Sequence, residues 1–296
     1  LTAPEWLPAD GAIYSQSSYA ALYAEVGLLA SEPTKDTSSS ITLPSTQSWT
    51  GVAAQGANVV MVSGTGTAAA SSADNGATWT ARTMPTSASW VGAAFGGTGL
   101  VVAVSTGTAA AYSSDSGATW SASTLPAPTS TWDSILYIAG VWVLVPYSGT
   151  SYATSTDGTT WTQRTFPVAP TDLWYAATAS NGYAVLCPGN YNGWVLVSTD
   201  GTTWTQRTTP TPVHWVGVAV LTTGRICVYP YSQALFYTSD DGGATWGTVT
   251  VPITFPTTRM VTAVSDDEVV AFSVGSATYY QIVGSTVYTY TFAGSV

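Results

Sequence analysis

The chain has 296 residues, of which 45% are hydrophobic and only 7% are charged, and its formal net charge at pH 7 is −10. Lys35 is the only lysine and the five arginines are scattered, so the sequence offers no basic surface for nucleic acid or for anionic lipid head groups. No apolar run approaches the ~18 residues that mark a membrane-spanning helix. We therefore expect a soluble protein that binds no nucleic acid and does not insert into membranes.

Residues 1–44 form a separate N-terminal segment with one short predicted helix. Ser15 is a suitable residue to cap the start of this helix, and Gly27 is a suitable residue to end it. Tyr19 and Leu22 would share one side of the helix, which predicts an amphipathic element. An isolated helix of this length is marginal in water, so we expect it to dock on the rest of the protein or on a partner chain.

The N-terminal segment also resembles the phage tail collar motif. The similarity lies in residues 6–11 (WLPADG), 14–23 (YSQSSYAALY) and 36–44 (DTSSSITLP). The arginine-containing stretch that follows the Leu-Pro of that motif is replaced here by residues 45–48 (STQS), which lead into the first repeat. The resemblance implies a protein of the phage tail fibre or tail tip type.

A repeat runs through the rest of the chain. Five segments share a pattern that begins with Ser, passes through Asp and Gly, and ends with Trp: residues 72–79, 113–120, 155–161, 198–204 and 239–246. The closing tryptophans lie 41, 41, 43 and 42 residues apart, and a further step of 42 reaches Tyr288. A fixed period in this range is typical of repeat architectures in which each repeat is one supersecondary unit.

The Asp-containing segments are predicted to be tight turns. An aspartate at the corner of a hairpin accepts hydrogen bonds from backbone amides two or so residues on, and glycine supplies a positive φ angle. The tryptophan would pack the turn back onto its sheet. We therefore interpret the five aspartates as structural: Asp74, Asp115, Asp157, Asp200 and Asp241.

A second series of tryptophans marks the start of each repeat: Trp49, Trp90, Trp132, Trp174 and Trp215, with Met260 expected in the sixth place. A small residue follows two positions after each tryptophan, which indicates strands that crowd together near an axis. The apolar runs that come next predict strands buried on both faces. Four short strands in about 42 residues are typical of one blade of a β-propeller. We predict an all-β chain whose residues 45–296 form about six blades of four antiparallel strands each, preceded by the helix-containing segment 1–44.

The Asp-containing turns resemble the Asp-box, or bacterial neuraminidase repeat. That motif occurs in sialidases, in sortilin-like receptors and in many secreted or phage-borne propellers. The resemblance implies the propeller fold, with the Asp turns on the rim and away from any site of chemistry.

The catalytic set that the sialidase resemblance would imply cannot be assembled from this sequence. Arg82, Arg164 and Arg207 occupy the same place in three different repeats, so we expect them to point apart rather than converge as an arginine triad. A depolymerase that uses Asp133 and Asp172 as paired carboxylates is an alternative, and solvated loop carboxylates are the simpler interpretation. We predict no catalytic residue, no metal site and no cofactor.

The remaining residues of catalytic type support no site. His214 is the only histidine and is interpreted as a loop residue rather than a base. Cys187 and Cys227 lie in apolar runs and are expected to be buried free thiols.

One end of the predicted propeller is the candidate ligand-binding face. The loops that enter the first strands and the loops between second and third strands meet at this end, opposite the Asp turns. They collect an aromatic set: Trp90, Trp132, Trp174, Trp215, Tyr147, Tyr191, Tyr231 and His214. Aromatic rings stack on sugar faces without needing charge. The alternative is that the tryptophans only wedge between blades.

The functional hypothesis is therefore a non-enzymatic phage tail protein whose propeller binds a host-surface glycan. The alternative is a structural tail cap, decoration or adaptor without receptor contact, and a sialidase-like hydrolase or glycan depolymerase is disfavoured. The expected partners are other phage tail proteins, host cell-surface polysaccharide and further copies of the chain in a homotrimer. The expected location is the virion tail, exposed to the extracellular medium.

Overall fold

The structure is a computed structural model. It describes residues 43–97, 99–128, 130–170, 173–189, 191–221 and 223–251, together with the backbone of four later strands between residues 258 and 291. The chain divides into two units, Leu1–Ile41 and Thr42–Val296, and every described strand lies in the second. The predicted helix and the collar-like stretches, except for residues 43 and 44, lie outside the described residues.

The described part of the chain is built from β-strands and short turns, and no helix occurs within it. In chain order the strands are β1 (Trp49–Gln55), β2 (Asn58–Ser63), β3 (Ala68–Ser72), β4 (Thr80–Thr83), β5 (Trp90–Phe95), β6 (Val101–Ser105), β7 (Ala109–Ser113), β8 (Ser121–Thr124), β9 (Trp132–Ile138), β10 (Val141–Pro146), β11 (Ser151–Ser155), β12 (Thr162–Thr165), β13 (Trp174–Ser180), β14 (Tyr183–Pro188), β15 (Trp194–Ser198), β16 (Thr205–Thr208), β17 (Trp215–Val220), β18 (Ile226–Pro230), β19 (Leu235–Ser239), β20 (Gly247–Thr250), β21 (Thr258–Ala263), β22 (Glu268–Ser273), β23 (Thr278–Val283) and β24 (Thr286–Thr291). The all-β prediction is confirmed for the described residues.

Consecutive strands pair into four-stranded antiparallel sheets, and no sheet borrows a strand from another part of the described chain. Sheets 1 to 5 comprise β1–β4, β5–β8, β9–β12, β13–β16 and β17–β20, and their side chains are described except in residues 175–178. Strands β21–β24 pair as sheet 6, for which the structure describes the backbone. The predicted unit of four antiparallel strands per repeat is confirmed.

Each sheet packs its two faces against its neighbours along the chain. Val60 and Val62 on one face of sheet 1 join Ala93 and Phe95 of sheet 2 in one buried cluster. We call the face that packs against the following sheet the front face, and the face that packs against the preceding sheet the back face. Equivalent clusters join sheets 2 and 3, sheets 3 and 4, and sheets 4 and 5. The hydrophobic core is therefore a series of layers between sheets rather than one central cluster.

The second strands explain why both faces of a sheet can be buried. β6 and β18 are buried at every residue, because their sequences VVAVS and ICVYP are apolar on both sides. The outermost strands are the opposite, and β12 (TQRT) is exposed along its whole length. Burial therefore falls from the inner strands to the rim, as the repeat pattern predicts.

The first strand of each sheet carries a β-bulge at its first residues. The pairing shifts between Trp49 and Gly51, and the same shift recurs at Trp90, Trp174 and Trp215. In sheet 6 the shift lies between Thr258 and Met260. Thr258 therefore holds the position of the tryptophan, and the expectation that Met260 takes the sixth place of this series is wrong by two residues.

Candidate ligand-binding face

The four predicted tryptophans of the candidate face are buried. Trp90 and Trp215 are 0% exposed, Trp132 is 1% exposed and Trp174 is 2% exposed. Each ring is enclosed where its sheet meets the preceding sheet, as the membership of Trp90, Trp174 and Trp215 in the intersheet clusters shows. A ligand cannot reach these rings in the folded protein, so the expectation that they bind a ligand is corrected in favour of the wedge between sheets.

The indole groups also hold the loops of the preceding sheet. The Nε1–H of Trp90 donates to the carbonyl oxygen of Gly66 at 3.1 Å, and that of Trp174 donates to Gly149 at 3.0 Å. Gly66 and Gly149 lie in the loops between the second and third strands of sheets 1 and 3. These hydrogen bonds give each buried indole N–H a partner that it would otherwise lack. They also fix the loops of the candidate face in place.

Three tyrosines stand exposed on those same loops. Tyr147 is 46% exposed, Tyr191 is 72% exposed and Tyr231 is 42% exposed. They lie between the second and third strands of sheets 3, 4 and 5. The predicted tyrosines therefore occupy one end of three consecutive sheets and present their rings to solvent. Their role in binding stays a prediction.

Backbone hydrogen bonds anchor two of the tyrosines. The N–H of Tyr147 donates to the carbonyl oxygen of Thr131 at 2.7 Å, and the carbonyl oxygen of Tyr147 accepts the N–H of Trp174 in the next sheet at 2.9 Å. The N–H of Tyr231 donates to the carbonyl oxygen of His214 at 2.7 Å. These bonds hold the backbone of Tyr147 and Tyr231, so the two exposed rings start from a preorganised backbone.

His214 lies beside Tyr231. Its side chain is partly buried, and the centroids of the two rings are 5.7 Å apart with the planes tilted by 40°. The histidine therefore extends the aromatic surface at sheet 5 and lies in a loop, as predicted.

Tyr191 has an unusual backbone conformation. Its φ angle is +39°, in a region that bulky residues adopt at a cost of ~1–2 kcal/mol. Among the described residues, the other non-glycine residues with positive φ are Asn75, Ser116, Ala139, Asn181 and Ser232, which are small or have short polar side chains. Strain of this kind persists where the surrounding structure or a function requires it.

The Asp turns lie at the opposite end of the sheets and satisfy their own polar groups. In the first turn the hydroxyl of Ser72 donates to Oδ1 of Asp74 at 2.7 Å and accepts the N–H of Gly76 at 2.8 Å. Thr78 donates its N–H to Oδ1 at 2.8 Å and its hydroxyl to Oδ2 of the same aspartate at 2.6 Å. The turns of Asp115 and Asp241 repeat this arrangement.

The two shorter turns reach the same result with one residue fewer. Oδ1 of Asp157 accepts the N–H groups of Thr159 and Thr160 at 2.8 and 2.7 Å. Oδ1 of Asp200 accepts those of Thr202 and Thr203 at 2.8 and 2.6 Å. In all five turns the carboxylate is bonded within its own turn.

These hydrogen bonds lower the pKa values of the turn aspartates. The hydroxyl of Thr78, then its N–H group, lowers the pKa of Asp74 to about 2, and the same two groups of Thr119 lower that of Asp115 to about 2. The hydroxyl and N–H of Thr245 lower the pKa of Asp241 to about 2. A carboxylate held ionised in this way is a poor general acid or base near neutral pH.

The three arginines considered for catalysis lie on the outermost strands of three different sheets. Asp133 lies on β9, and desolvation raises its pKa, whereas Asp172 lies outside the described residues. Arg82 and Arg164 lie on the outermost strands of sheets 1 and 3, where each Nε donates to a hydroxyl of the neighbouring strand at 2.8 Å. Arg207 lies on the outermost strand of sheet 4.

The cysteines match their prediction, since Cys187 and Cys227 are both free and buried. Burial raises the pKa of Cys187 above its usual range and that of Cys227 to about 12. Among the described residues, no group of His, Cys, Asp and Glu could hold a metal ion. No helix in that part of the chain is long and apolar enough to span a membrane.

The first strands surround a cavity of about 290 Å³. Its lining is Ala53, Ala54, Ala93, Ala94, Phe95, Ile135, Leu136, Tyr137 and Ala179, which come from β1, β5, β9 and β13. Alanine and larger apolar side chains thus line this cavity together with Tyr137, and the exposed tyrosines of the candidate face are not among its lining residues.

Comparison with known proteins identifies the fold. The model of the DUF6242 beta propeller domain matches residues 127–271. The domain that sheets 1 to 6 form in this chain is a β-propeller. A search of the curated proteins finds no match to this chain.

Solved propellers resemble the structure over most of its length. YCF48 bound to a D1 peptide is 17% identical with a TM-score of 0.66, and the match covers 84% of this chain and 82% of that one. A streptogramin B lyase is 15% identical with a TM-score of 0.71, covering 86% and 87%. Virginiamycin B lyase from Staphylococcus aureus is 15% identical with a TM-score of 0.68, covering 84% and 86%. At these identities the likeness shows the propeller fold alone.

Proposed function

We propose that this propeller is a non-enzymatic receptor-binding protein of a phage tail and that it binds a neutral host-surface glycan. The observation that carries the proposal is the exposure of Tyr147, Tyr191 and Tyr231 at one end of three consecutive sheets. The proposed scaffold is a ring of about six blades, to which sheets 1 to 6 contribute.

The chemistry of the tyrosine face suits sugars. A tyrosine ring offers a flat apolar surface for the C–H groups of a pyranose and a hydroxyl for its polar groups. It has few rotatable bonds, so little conformational entropy is lost when it is ordered by a ligand. Because the net charge of the chain is −10, a polyanionic glycan would be repelled at low ionic strength, which favours a neutral one.

The strain at Tyr191 supports a role for its ring. A glycine at this position would adopt the positive φ angle without cost, whereas tyrosine adopts it with the ring 72% exposed. The side chain gains no burial that offsets the strain. A contact with a ligand would explain why a large aromatic residue stands there.

The proposal of a non-enzymatic role rests on the described ionisable groups. The five turn aspartates are bonded within their turns at the end opposite the tyrosines. Asp172, the carboxylate considered as the partner of Asp133, lies outside the described residues. Structural similarity alone does not decide the matter, because the similar structures include lyases as well as YCF48 bound to a peptide.

The phage assignment rests on the collar-like residues 6–11, 14–23 and 36–44. A protein with this N-terminal segment would attach to other tail proteins and present its propeller to the medium outside the virion. Trimerisation would set several tyrosine faces side by side and raise the avidity of weak sugar contacts. A structural tail cap or adaptor is the second candidate function, and the buried tryptophans that fix the loops would serve it equally well.

The test is affinity electrophoresis of the purified chain through gels that contain mannan, dextran, galactan or hyaluronan, with a parallel assay for released reducing sugar. We expect retardation by at least one neutral polysaccharide, none by hyaluronan, and no released sugar. Release of oligosaccharides would overturn the non-enzymatic assignment. Free migration in every gel would contradict glycan binding and support the structural tail component.

A further inference from the structure

A polar cleft lies between the Asp turns of sheets 1 and 2, at the end of the sheets opposite the exposed tyrosines. It has a volume of about 250 Å³. Sheet 1 contributes one wall, which includes Asn58, Asp74 and Arg82, and the Asp turn of sheet 2 contributes the other, which includes Asp115 and Ser116. Side chains of both charges therefore line one space.

The register of sheet 1 brings Asn58 and Arg82 to the cleft. Arg82 pairs with Ala69 across β4 and β3, and Ala69 belongs with Val60 to the cluster between sheets 1 and 2. Asn58 lies two residues before Val60 on β2, and residues two apart share one face of a strand. Both polar side chains thus lie on the front face of sheet 1, at the margin of the apolar layer that sheet 2 covers.

The guanidinium of Arg82 retains donors for a ligand. Its Nε donates to the hydroxyl of Ser71 in its own sheet at 2.8 Å. Within the described residues, neither of its NH2 groups has a hydrogen-bond or ion-pair partner. A guanidinium presents its donors in a fixed fork that matches the two oxygens of a carboxylate. The cleft therefore suits a carboxylate beside Arg82, where the amide of Asn58 offers a further donor.

Two aspartates supply the opposite charge, one from each sheet. Hydrogen bonds from Thr78 and Thr119 lower the pKa values of Asp74 and Asp115 to about 2, so both carboxylates are ionised near neutral pH. In the part of the chain that the structure describes, neither forms an ion pair with Arg82. An ammonium group between the two turns would meet uncompensated negative charge from both.

Protein groups bridge the corresponding region at two other junctions. Ser123 holds the register position of Arg82 in sheet 2, and its hydroxyl donates to the carbonyl oxygen of Thr159 in sheet 3 at 3.3 Å. Between sheets 3 and 4, the hydroxyl of Tyr152 donates to the carbonyl oxygen of Thr202 at 2.9 Å. Arg82 bonds instead to its own sheet, and the space between sheets 1 and 2 remains open to a ligand.

We propose that this cleft binds the zwitterion of a small α-amino acid. The carboxylate of the ligand contacts the donors of Arg82 and Asn58, and its ammonium group lies between Asp74 and Asp115. The three charged side chains sum to −1, so a simple anion is disfavoured, and a simple cation would leave the donors of Arg82 unused. The site lies at the opposite end of the sheets from the tyrosines, so its ligand does not depend on glycan binding.

Calorimetric titration of the purified chain with glycine, L-serine and L-glutamine tests the proposal. Two analogues of L-serine serve as ligand controls, because glycerate has a hydroxyl in place of the ammonium group and serinamide has an amide in place of the carboxylate. We expect at least one amino acid to bind, and L-serine to bind at least tenfold more tightly than either analogue. No binding of any amino acid, or an analogue that matches L-serine, would overturn the proposal.

A matched pair of arginine variants locates the site. Arg82→Gln should weaken amino-acid binding at least tenfold. Arg164→Gln should bind as the wild type does, because Arg164 holds the same position in sheet 3, donates its Nε to Thr154 at the same 2.8 Å and is not among the residues of the cleft. Equal effects of the two variants would contradict the assignment.

Asn58→Asp provides a second measurement that leaves the hydrogen bond of Arg82 to Ser71 in place. It replaces a donor with a negative charge next to the expected position of the ligand carboxylate, so binding should again weaken at least tenfold. Unchanged affinity in this variant would show that the carboxylate does not lie between Asn58 and Arg82, and would overturn the proposed orientation.

Discussion

Gly117 of the second Asp turn lies directly against Val60 of sheet 1, so that a β carbon on Gly117 would come within 2.3 Å of Cγ1 of Val60. Gly158 stands in the same relation to Val102, at 2.6 Å. The Asp turns therefore close their own hairpins and also seal the junction with the preceding sheet. Gly117 is required for two reasons: a side chain would clash with Val60, and the φ angle is +83°.

The variant Gly117→Ala is expected to lower the free energy of unfolding by about 2–4 kcal/mol. The positive φ angle contributes ~1–2 kcal/mol, and overpacking against Val60 contributes ~1–3 kcal/mol. Gly107→Ala is the matched control, since a β carbon there would meet nothing within 4 Å. Urea unfolding measures both, and equal stability of the two variants would show that the turn does not seal the junction.

The turn aspartates predict a loss of stability in acid. Their folded-state pKa values of about 2 for Asp74, Asp115 and Asp241 lie below the ordinary value of 3.8. A carboxylate with a lowered pKa stabilises the folded state above its ordinary value, and this contribution disappears as the pH falls through the folded-state value. The Tm should therefore decrease between pH 4 and pH 2, and Asp115→Asn should make the decrease less steep. A constant Tm over this range would contradict the account.

Trp90 provides a test of whether the buried tryptophans pack between sheets or contact a ligand. Its ring is 0% exposed and its Nε1–H donates to the carbonyl oxygen of Gly66 at 3.1 Å, in a loop that carries none of the three exposed tyrosines. Trp90→Phe removes this hydrogen bond and part of the packing, at a cost of ~2–3 kcal/mol. Glycan affinity of the folded variant should be unchanged within a factor of two, as measured by affinity electrophoresis. A large loss of affinity at full folding would assign the ring to the ligand site after all.

Variants of Tyr191 are expected to affect stability and glycan binding differently. Tyr191→Gly relieves the positive φ angle and should leave the protein at least as stable as Tyr191→Ala, by up to ~1 kcal/mol. The same variant removes the most exposed of the three rings and should weaken glycan binding at least tenfold. Chemical denaturation and affinity electrophoresis measure the two quantities. A glycine variant less stable than the alanine variant would mean that the backbone at residue 191 is not strained.

The repeat in the sequence was sufficient to predict the strands. Trp49, Trp90, Trp132, Trp174 and Trp215 are the first residues of β1, β5, β9, β13 and β17, because the tryptophan series repeats in register with the sheets. The sixth repeat has neither the tryptophan nor the Asp turn, so only spacing could place it. The step from Trp215 to its equivalent Thr258 is 43 residues, close to the earlier steps of 41 and 42, whereas the predicted Met260 lies 45 residues after Trp215.

The candidate face could be predicted only in part, because burial depends on the neighbouring sheet. The sequence places tryptophans and tyrosines at the same end, but it does not show that the loop of Gly66 covers Trp90. Tyr147 and Tyr231 follow the last residue of a second strand and remain exposed there.

The central claim is that the three tyrosines bind a neutral glycan, and a glycan array tests it most directly. The wild-type protein is applied beside the triple variant Tyr147→Ala/Tyr191→Gly/Tyr231→Ala, with Trp90→Phe as the control for the buried series. We expect wild type and Trp90→Phe to bind the same neutral glycans, and the folded triple variant to lose at least nine-tenths of the signal. Absence of binding by the wild type, or binding that the triple variant retains, would contradict the claim.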